Sequence, residues 1–539
     1  MIKYKIYLLF LFSPLIGQAQ ESERPKLVVG IVVDQMRWDF LQRFSARYAP
    51  DGGFKRMMNK GYNCENTMIS HVPTYTACGH AGIYTGSVPS IHGITGNDWF
   101  DNESGDFVYC TADSSVSTVG GQTVAGKMSP RNLLTSTICD ELKLATNLKS
   151  KTIGLALKDR GGILSVGHNA NAAFWYDPAT GQWITSSYYL KAIPTWVTDF
   201  NNQKLVDKYY SGGWNTLYPV TTYVQSTNDE NNSEIKTFGK SFPYNLSAYT
   251  GVNYNMILAT PFGNTLTTEF AKSSIENEKL GEDSITDFLA ISYSSPDYIG
   301  HAFGPNSIEI EDTYLRLDAE LGAFFDYLDL KIGKDQYLVF LSSDHGVAHV
   351  PEFMKNNKMP AGNLNMNSLI DAMNSGLKKE FDVNNLVITM INHQVVLNTM
   401  LIESRSKLSV NKIKNWLIRF LLKQEAVQHA FSLEDLKNTT LNETQKKMIS
   451  NGYYPKRSGH IYVILKPQWI EDHESGGTTH GTWNPYNAHI PLLWYGWKIK
   501  PGSTSREIYM TDIAPTLAAL LKIQVPNGSV GKAIIEITR

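Results

Sequence analysis

Thiols are scarce in this chain: Cys64, Cys78, Cys110 and Cys139 are the only cysteines among 539 residues. No two of them form a C-x-x-C pair, which excludes a cysteine–histidine zinc site of the usual spacing. Four cysteines allow three disulfide connectivities, and the sequence does not choose among them or against free thiols. A charge of one sign is lacking as well. The formal net charge is -2, so no basic field attracts nucleic acid, and pairs such as Lys378-Lys379 read as solvated faces. Beyond the N-terminus no apolar run reaches the roughly 20 residues of a membrane-spanning helix. Internal repeats and low-complexity tracts are missing, which excludes solenoid arrays and disordered tails. A chain of this length, 42% hydrophobic, can build a large core and still carry insertions.

What is present begins with a targeting segment. Lys3 and Lys5 precede an apolar run from Ile6 to Gly17, and Gly17-Gln18-Ala19 supplies small residues. This predicts a secretory signal peptide cleaved after Ala19, with no nearby cysteine for lipid attachment. The mature protein is expected to be periplasmic or secreted, with no membrane attachment after cleavage.

Residues 26–34 form a β-branched run ending in Asp34, the pattern of a strand buried on both faces of a parallel sheet. Ile285 to Tyr293 leads to Asp297, and Gln336 to Leu341 leads to Asp344-His345. His489 to Tyr495 reads as a fourth strand. Helical periodicity lies between, as over Ile310 to Asp329. The order predicts an α/β fold with a mostly parallel central sheet flanked by helices. Residues 20–539 are expected to be a single domain with cap insertions at about 165–260 and 351–475. The second insertion carries helical stretches near 406–424 and 433–450.

In such sheets the working groups lie beyond the carboxyl ends of the strands. Asp297 and His301 are one helical turn apart, able to share a cation. Asp344-His345 sits in a tight Ser-Ser-Asp-His-Gly turn, and His480 in a glycine-flanked loop. Taken singly, a strand-end Asp is more often a cap, and a His a hydrogen-bonded structural residue. Together these oxygen and imidazole donors, without thiolates, suit catalytic zinc. Thr76 follows a Pro-Thr-x-Thr lead-in and precedes Ala77, Gly79, Ala81 and Gly82, which let a helix start close to neighbouring backbone. Alone, Thr76 is an N-cap; beside metal ligands, its hydroxyl becomes a nucleophile.

These residues resemble the alkaline phosphatase superfamily, and within it the PafA-type alkaline phosphatases of Bacteroidetes. The resemblance is dense over 25–39 and 85–93 and continues in Gly96-Asn97-Asp98-Trp99, Leu157-Lys158-Asp159-Arg160, Gly304-Pro305-Asn306-Ser307 and Lys456-Arg457-Ser458-Gly459. It implies two Zn2+ ions per chain. Asp297, His301 and His480 would hold one; Asp34, Asp344, His345 and the Thr76 oxygen would hold the other. Thr76 takes the nucleophile position, and Asn97, Lys158 and Arg160 contact the phosphoryl group. An extended segment would turn Lys158 and Arg160 to one face and Asp159 to the other.

The function so implied is hydrolysis of small phosphate monoesters through a phosphothreonine, in the manner of a broad phosphate scavenger. A nucleotide pyrophosphatase/phosphodiesterase is the principal alternative, and Lys158 with Arg160 argues against it, because a diester needs an apolar slot where a monoester dianion needs cations. A sulfatase lacks its Cys/Ser-x-Pro-x-Arg motif here. A phosphoglycerate mutase conflicts with export. A non-catalytic binding protein on this scaffold would not be expected to keep every ligand position.

Overall fold

The computed structural model describes residues 24–230, 235, 237–472 and 476–538. The expected signal peptide and its cleavage point lie outside the described residues. Five parallel strands form the centre: β1 (Leu27–Val33), β2 (Thr152–Ala156), β3 (Ala172–Asp177), β4 (Asp287–Tyr293) and β5 (Tyr337–Ser342). They lie in the order β5-β1-β4-β2-β3 within a ten-stranded sheet. Val29 pairs with Leu289 on one side and Val339 on the other, so the acid-bearing ends of β1, β4 and β5 finish together.

The continuous apolar run of β1 follows from burial on both faces. Leu27, Val29, Ile31 and Val33 enter one core with Phe40, Phe44 and Phe324. Val28 and Val32 enter a second with Tyr84, Phe340 and Trp494. Side chains alternate across the pleat, and each large aliphatic one so buried contributes about 1.5–3 kcal/mol. A strand buried on one face alone would alternate apolar with polar residues.

The fourth run read as a strand does not join the parallel centre as one piece. Pro491 lacks an N–H and splits the predicted 489–495 strand. Its first part, His489–Ile490, pairs antiparallel with Thr67–Met68. Its second, Leu492–Gly496, runs antiparallel to β5. Burial composition alone does not report strand direction.

Helices α1 (Thr76–Thr85), α2 (Asp159–Val166), α3 (Ser295–Phe303) and α4 (Ile308–Leu328) pack around the sheet. Ser307 caps α4, its side chain accepting the Ile310 N–H. Between 351 and 475 a separate four-stranded sheet forms from Val387–Ile391, Gln394–Leu397, Ile461–Leu465 and Val427–Ser432, in that spatial order. It has its own core of Met373, Leu377, Leu417, Val395 and Val463. Helices Val410–Leu421 and Glu443–Gly452 accompany it. All four cysteines are free thiols, and burial pushes Cys64 up to about 12.

Candidate active site

Asp34 is the first residue beyond β1, and its N–H donates to Tyr293 O at 3.1 Å. Asp344 and His345 are the second and third residues after β5, and all three side chains are wholly buried. Asp297 lies in the first turn of α3, and His301 in its last. His480 arrives on a loop with Gly477 and Gly481 at φ +73° and +116°. That left-handed backbone costs glycine little, and a Cβ on Gly481 would strike the Tyr75 ring.

The ligand atoms of Asp34, Asp344 and His345 lie within 4.8 Å of one another, as do those of Asp297, His345 and His480. His345 belongs to both trios because its ring stacks on His480, with centroids 3.6 Å apart. His301 Nε2 stands 3.2 Å from Asp297 Oδ1, and its side chain is 35% exposed. Each imidazole is oriented by its other nitrogen. Nδ1 of His301, His345 and His480 lies 2.7, 3.0 and 2.8 Å from the carbonyl oxygens of Thr478, Gly346 and Thr74. A carbonyl only accepts, so each Nδ1 carries a proton and each Nε2 is turned toward the acids.

Two buried carboxylates meet one ammonium: Lys158 Nζ lies 2.6 Å from Asp34 Oδ2 and 2.5 Å from Asp297 Oδ2. Burial, with Asp297 and Asp344 nearby, pushes the Asp34 carboxyl well up despite Lys158. Burial acts the same way on Asp297, yet Lys158, His301 and His480 hold it well below the carboxylate range. Burial, with His345 and His301 alongside, pushes His480 well down, and burial also lowers His345. Burial holds His345 and His480 toward the neutral form while Asp297 raises His301 against its burial, and imidazoles beside buried carboxylates form a set that a divalent cation completes. Asp34 Oδ1 and Asp344 Oδ2 are buried without a hydrogen-bond partner, as ligand oxygens awaiting a cation would be. The donor set therefore fits zinc.

Thr76 opens α1, with Oγ1 3.4 Å from His345 Nε2. A Cβ at Gly79 would lie 2.3 Å from Asp344 O, so only glycine lets the helix approach this closely. Asn97 Oδ1 accepts the Ala77 N–H at 3.0 Å. That commits its oxygen and leaves its NH2 as the donor group. The segment around Lys158 is not extended as expected. Lys158 is the last extended residue, and α2 begins at Asp159. The i, i+2 face rule does not reach into a helix. Arg160 Nη1 instead donates to Tyr109 OH at 3.2 Å, and that hydroxyl donates to Asp159 Oδ1 at 2.8 Å.

Several residues escape sequence reasoning. His80 Nδ1 lies 2.9 Å from Thr76 O and 3.3 Å from Asp344 Oδ2. It is four residues after Thr76, the same spacing that singles out Asp297 and His301. The Tyr298 ring centroid is 4.9 Å from Lys158 Nζ. Gln35 Nε2 donates to Asp297 Oδ1 at 2.7 Å.

A hydroxyl at a helix start, facing acids and imidazoles beyond the carboxyl ends of a parallel sheet, marks a metal-dependent phosphoryl-transfer class. The chain belongs to the type I phosphodiesterase / nucleotide pyrophosphatase family, whose sequence model matches residues 28–487. It is 51% identical over 524 residues to alkaline phosphatase PhoV of Synechococcus elongatus, covering 96% of this chain and 94% of that one. Alkaline phosphatase PafA of Elizabethkingia meningoseptica is 48% identical over 519 residues, covering 95% and 94%. A crystal structure of PafA matches with a TM-score of 0.93 at 47% identity, covering 96% of this chain and 99% of that one. A Myroides odoratus protein named calcium-transporting ATPase is 51% identical over 532 residues, covering 97% of each. Among the described residues no helix is long and apolar enough to cross a membrane.

Proposed function

We propose that this chain is an exported, zinc-dependent alkaline phosphatase that hydrolyses phosphate monoesters, with Thr76 as nucleophile. The observation that carries the reading is the meeting of two buried trios, Asp34 with Asp344 and His345 and Asp297 with His345 and His480, at an imidazole whose Nε2 lies 3.4 Å from the Thr76 hydroxyl. Asp297, His301 and His480 would hold one ion, and Asp34, Asp344, His345 and Thr76 Oγ1 the other. Bound zinc supplies positive charge that eases loss of the Thr76 proton and offsets charge building on the phosphoryl oxygens.

Thr76 Oγ1 attacks phosphorus in line, and the bond to the leaving-group oxygen breaks. The backbone N–H groups at the start of α1 favour the anion. The Asn97 NH2, Lys158 and Arg160 bind nonbridging oxygens of a loose transition state. Water then cleaves phospho-Thr76 and releases phosphate. Two in-line displacements predict retention at phosphorus; inversion of a chiral phosphoryl substrate in water would remove the covalent step.

A second solved PafA structure is a variant with a threonine, an asparagine, a lysine and an arginine all replaced. In it the first two stand 21 positions apart and the last two are separated by two positions, the spacings of Thr76 to Asn97 and Lys158 to Arg160. This supports carrying those four roles over. The family's phosphodiesterase description favours a second reading, diester hydrolysis, which the Lys158–Arg160 pair disfavours. The calcium-transporting name of one relative is not carried over, because two relatives of like similarity are phosphatases. The test is turnover of p-nitrophenyl phosphate against bis-p-nitrophenyl phosphate, with metal content measured on the same sample. Two zinc equivalents and a strong monoester preference are expected. Activity should vanish on chelation and return with zinc.

A further inference from the structure

Gln35 stands in the left-handed region at φ +67°, although it is neither glycine nor asparagine. Such backbone in an ordinary residue is uncommon and persists where its surroundings demand it. Here the demand is visible on both sides. The Gln35 N–H donates to Asp344 Oδ1 at 3.1 Å. Its side-chain Nε2 donates to Asp297 Oδ1 at 2.7 Å. One residue therefore holds a carboxylate from each half of the site. Space for it is made by Gly300, directly before His301 on α3, where a Cβ would overlap Gln35 Oε1.

We infer that Gln35 is a positioning residue that orients Asp297 and ties its ion site to that of Asp344; this rests on the two-metal reading above. The left-handed turn brings the Gln35 N–H to Asp344 and sends the side chain across to α3. An amide at this position donates without adding charge to a site with surplus carboxylate. Partners of metal ligands placed in this way typically govern about 10–100-fold in metal affinity.

Gln35→Gly separates this role from a merely structural one. Glycine accepts the left-handed backbone and keeps the N–H to Asp344, so the fold should be as stable as wild type or more so. Zinc affinity is measured by competition with a chromophoric chelator, and melting temperature on the same samples. The expected result is one zinc of two weakened about 10–100-fold, the other unchanged and the melting temperature of the metal-free protein not lowered. Gly300→Ala should reproduce the loss by pushing Gln35 off Asp297. In the Gln35→Gly background it should add nothing, because the space is then free. Gln35→Glu should bind zinc more weakly than Gln35→Gly in the Asp297 site unless its carboxylate becomes a ligand, which would overturn the assignment. Wild-type affinity at both ions in Gln35→Gly would overturn it, as would equal weakening of both or a fall in metal-free stability. Wild-type protein that binds no zinc would instead overturn the two-metal reading itself.

Discussion

The two halves of the site rest on different parts of the fold. Asp34, Asp344 and His345 follow directly from β1 and β5, strands locked in register, and their side chains are fully buried. Asp297, His301 and His480 come from a nine-residue helix and a glycine-bearing loop, and the His301 side chain is 35% exposed. Backbone fixed by central strands opens less readily than a short helix and a loop. The strand-end half is a fixed floor, and the helix-and-loop half an adjustable wall. Gln35 is the contact through which the floor sets the wall.

Thr76 belongs to the floor, since its Oγ1 faces His345. Thr76→Ala should lower monoester kcat/KM on the order of 10^4-fold or more, with both zinc ions retained by metal analysis. Wild-type rates would place the nucleophile elsewhere. Removing ligands should split the halves. Asp344→Ala should cost on the order of 10^3-fold in kcat/KM and resist added zinc, because the remaining buried groups lose their partner. His301→Ala should cost about 10–100-fold and recover most of its activity at high zinc. Equal losses with equal recovery would break the comparison.

Lys158 spans the halves, touching Asp34 and Asp297. Lys158→Ala and Arg160→Ala should each lower monoester turnover about 10^2–10^3-fold and diester turnover less than about 10-fold, because a buried charge pairing with the dianion is lost. Paired assays with p-nitrophenyl phosphate and bis-p-nitrophenyl phosphate decide it. Parallel losses would mean that the pair does not select the monoester.

The floor is legible in sequence because its logic is local. A β-branched run followed by an acid is a buried strand with a carboxylate at its working end, which places Asp34, Asp344 and His345 there, while reading them as ligands takes the whole set together. Asp297 with His301 is legible from helical spacing, and Thr76 from the small residues after it. Legibility fails where contacts come from afar. Lys158 and Arg160 read as an extended pair, but α2 starts between them. The Leu492–Gly496 strand is recognisable as a strand, yet its antiparallel direction depends on β5. Gln35 carries no composition signal, since its role depends on Asp297 and Gly300, more than 250 residues away.

The smallest expected effect tests the wall's scaffold against alkali. Helix α4, directly after α3, carries two carboxyls that burial pushes up to about 7, Glu309 and Glu320. Glu320 Oε2 accepts from Thr265 Oγ1 at 3.3 Å, while Oε1 is buried without a partner. Below the ordinary value of 4.5 for Glu320, folded and unfolded chains are both protonated and nothing is lost. As pH rises from there, the unfolded chain releases its proton first, so stability falls until the folded carboxyl ionises near 7. The full loss for a shift of this size is about 3–4 kcal/mol. Glu320→Gln removes the charge and keeps an acceptor for Thr265. It should raise the melting temperature at pH 9 by roughly 2–4 °C and leave it nearly unchanged at pH 5. Hydrogen exchange locates the effect. At pH 9 the α4 amides should be better protected in Glu320→Gln than in wild type, while those of β1 stay the same. Equal protection gains in β1 and α4 would mean that floor and wall open as one unit, and the distinction between them would not hold.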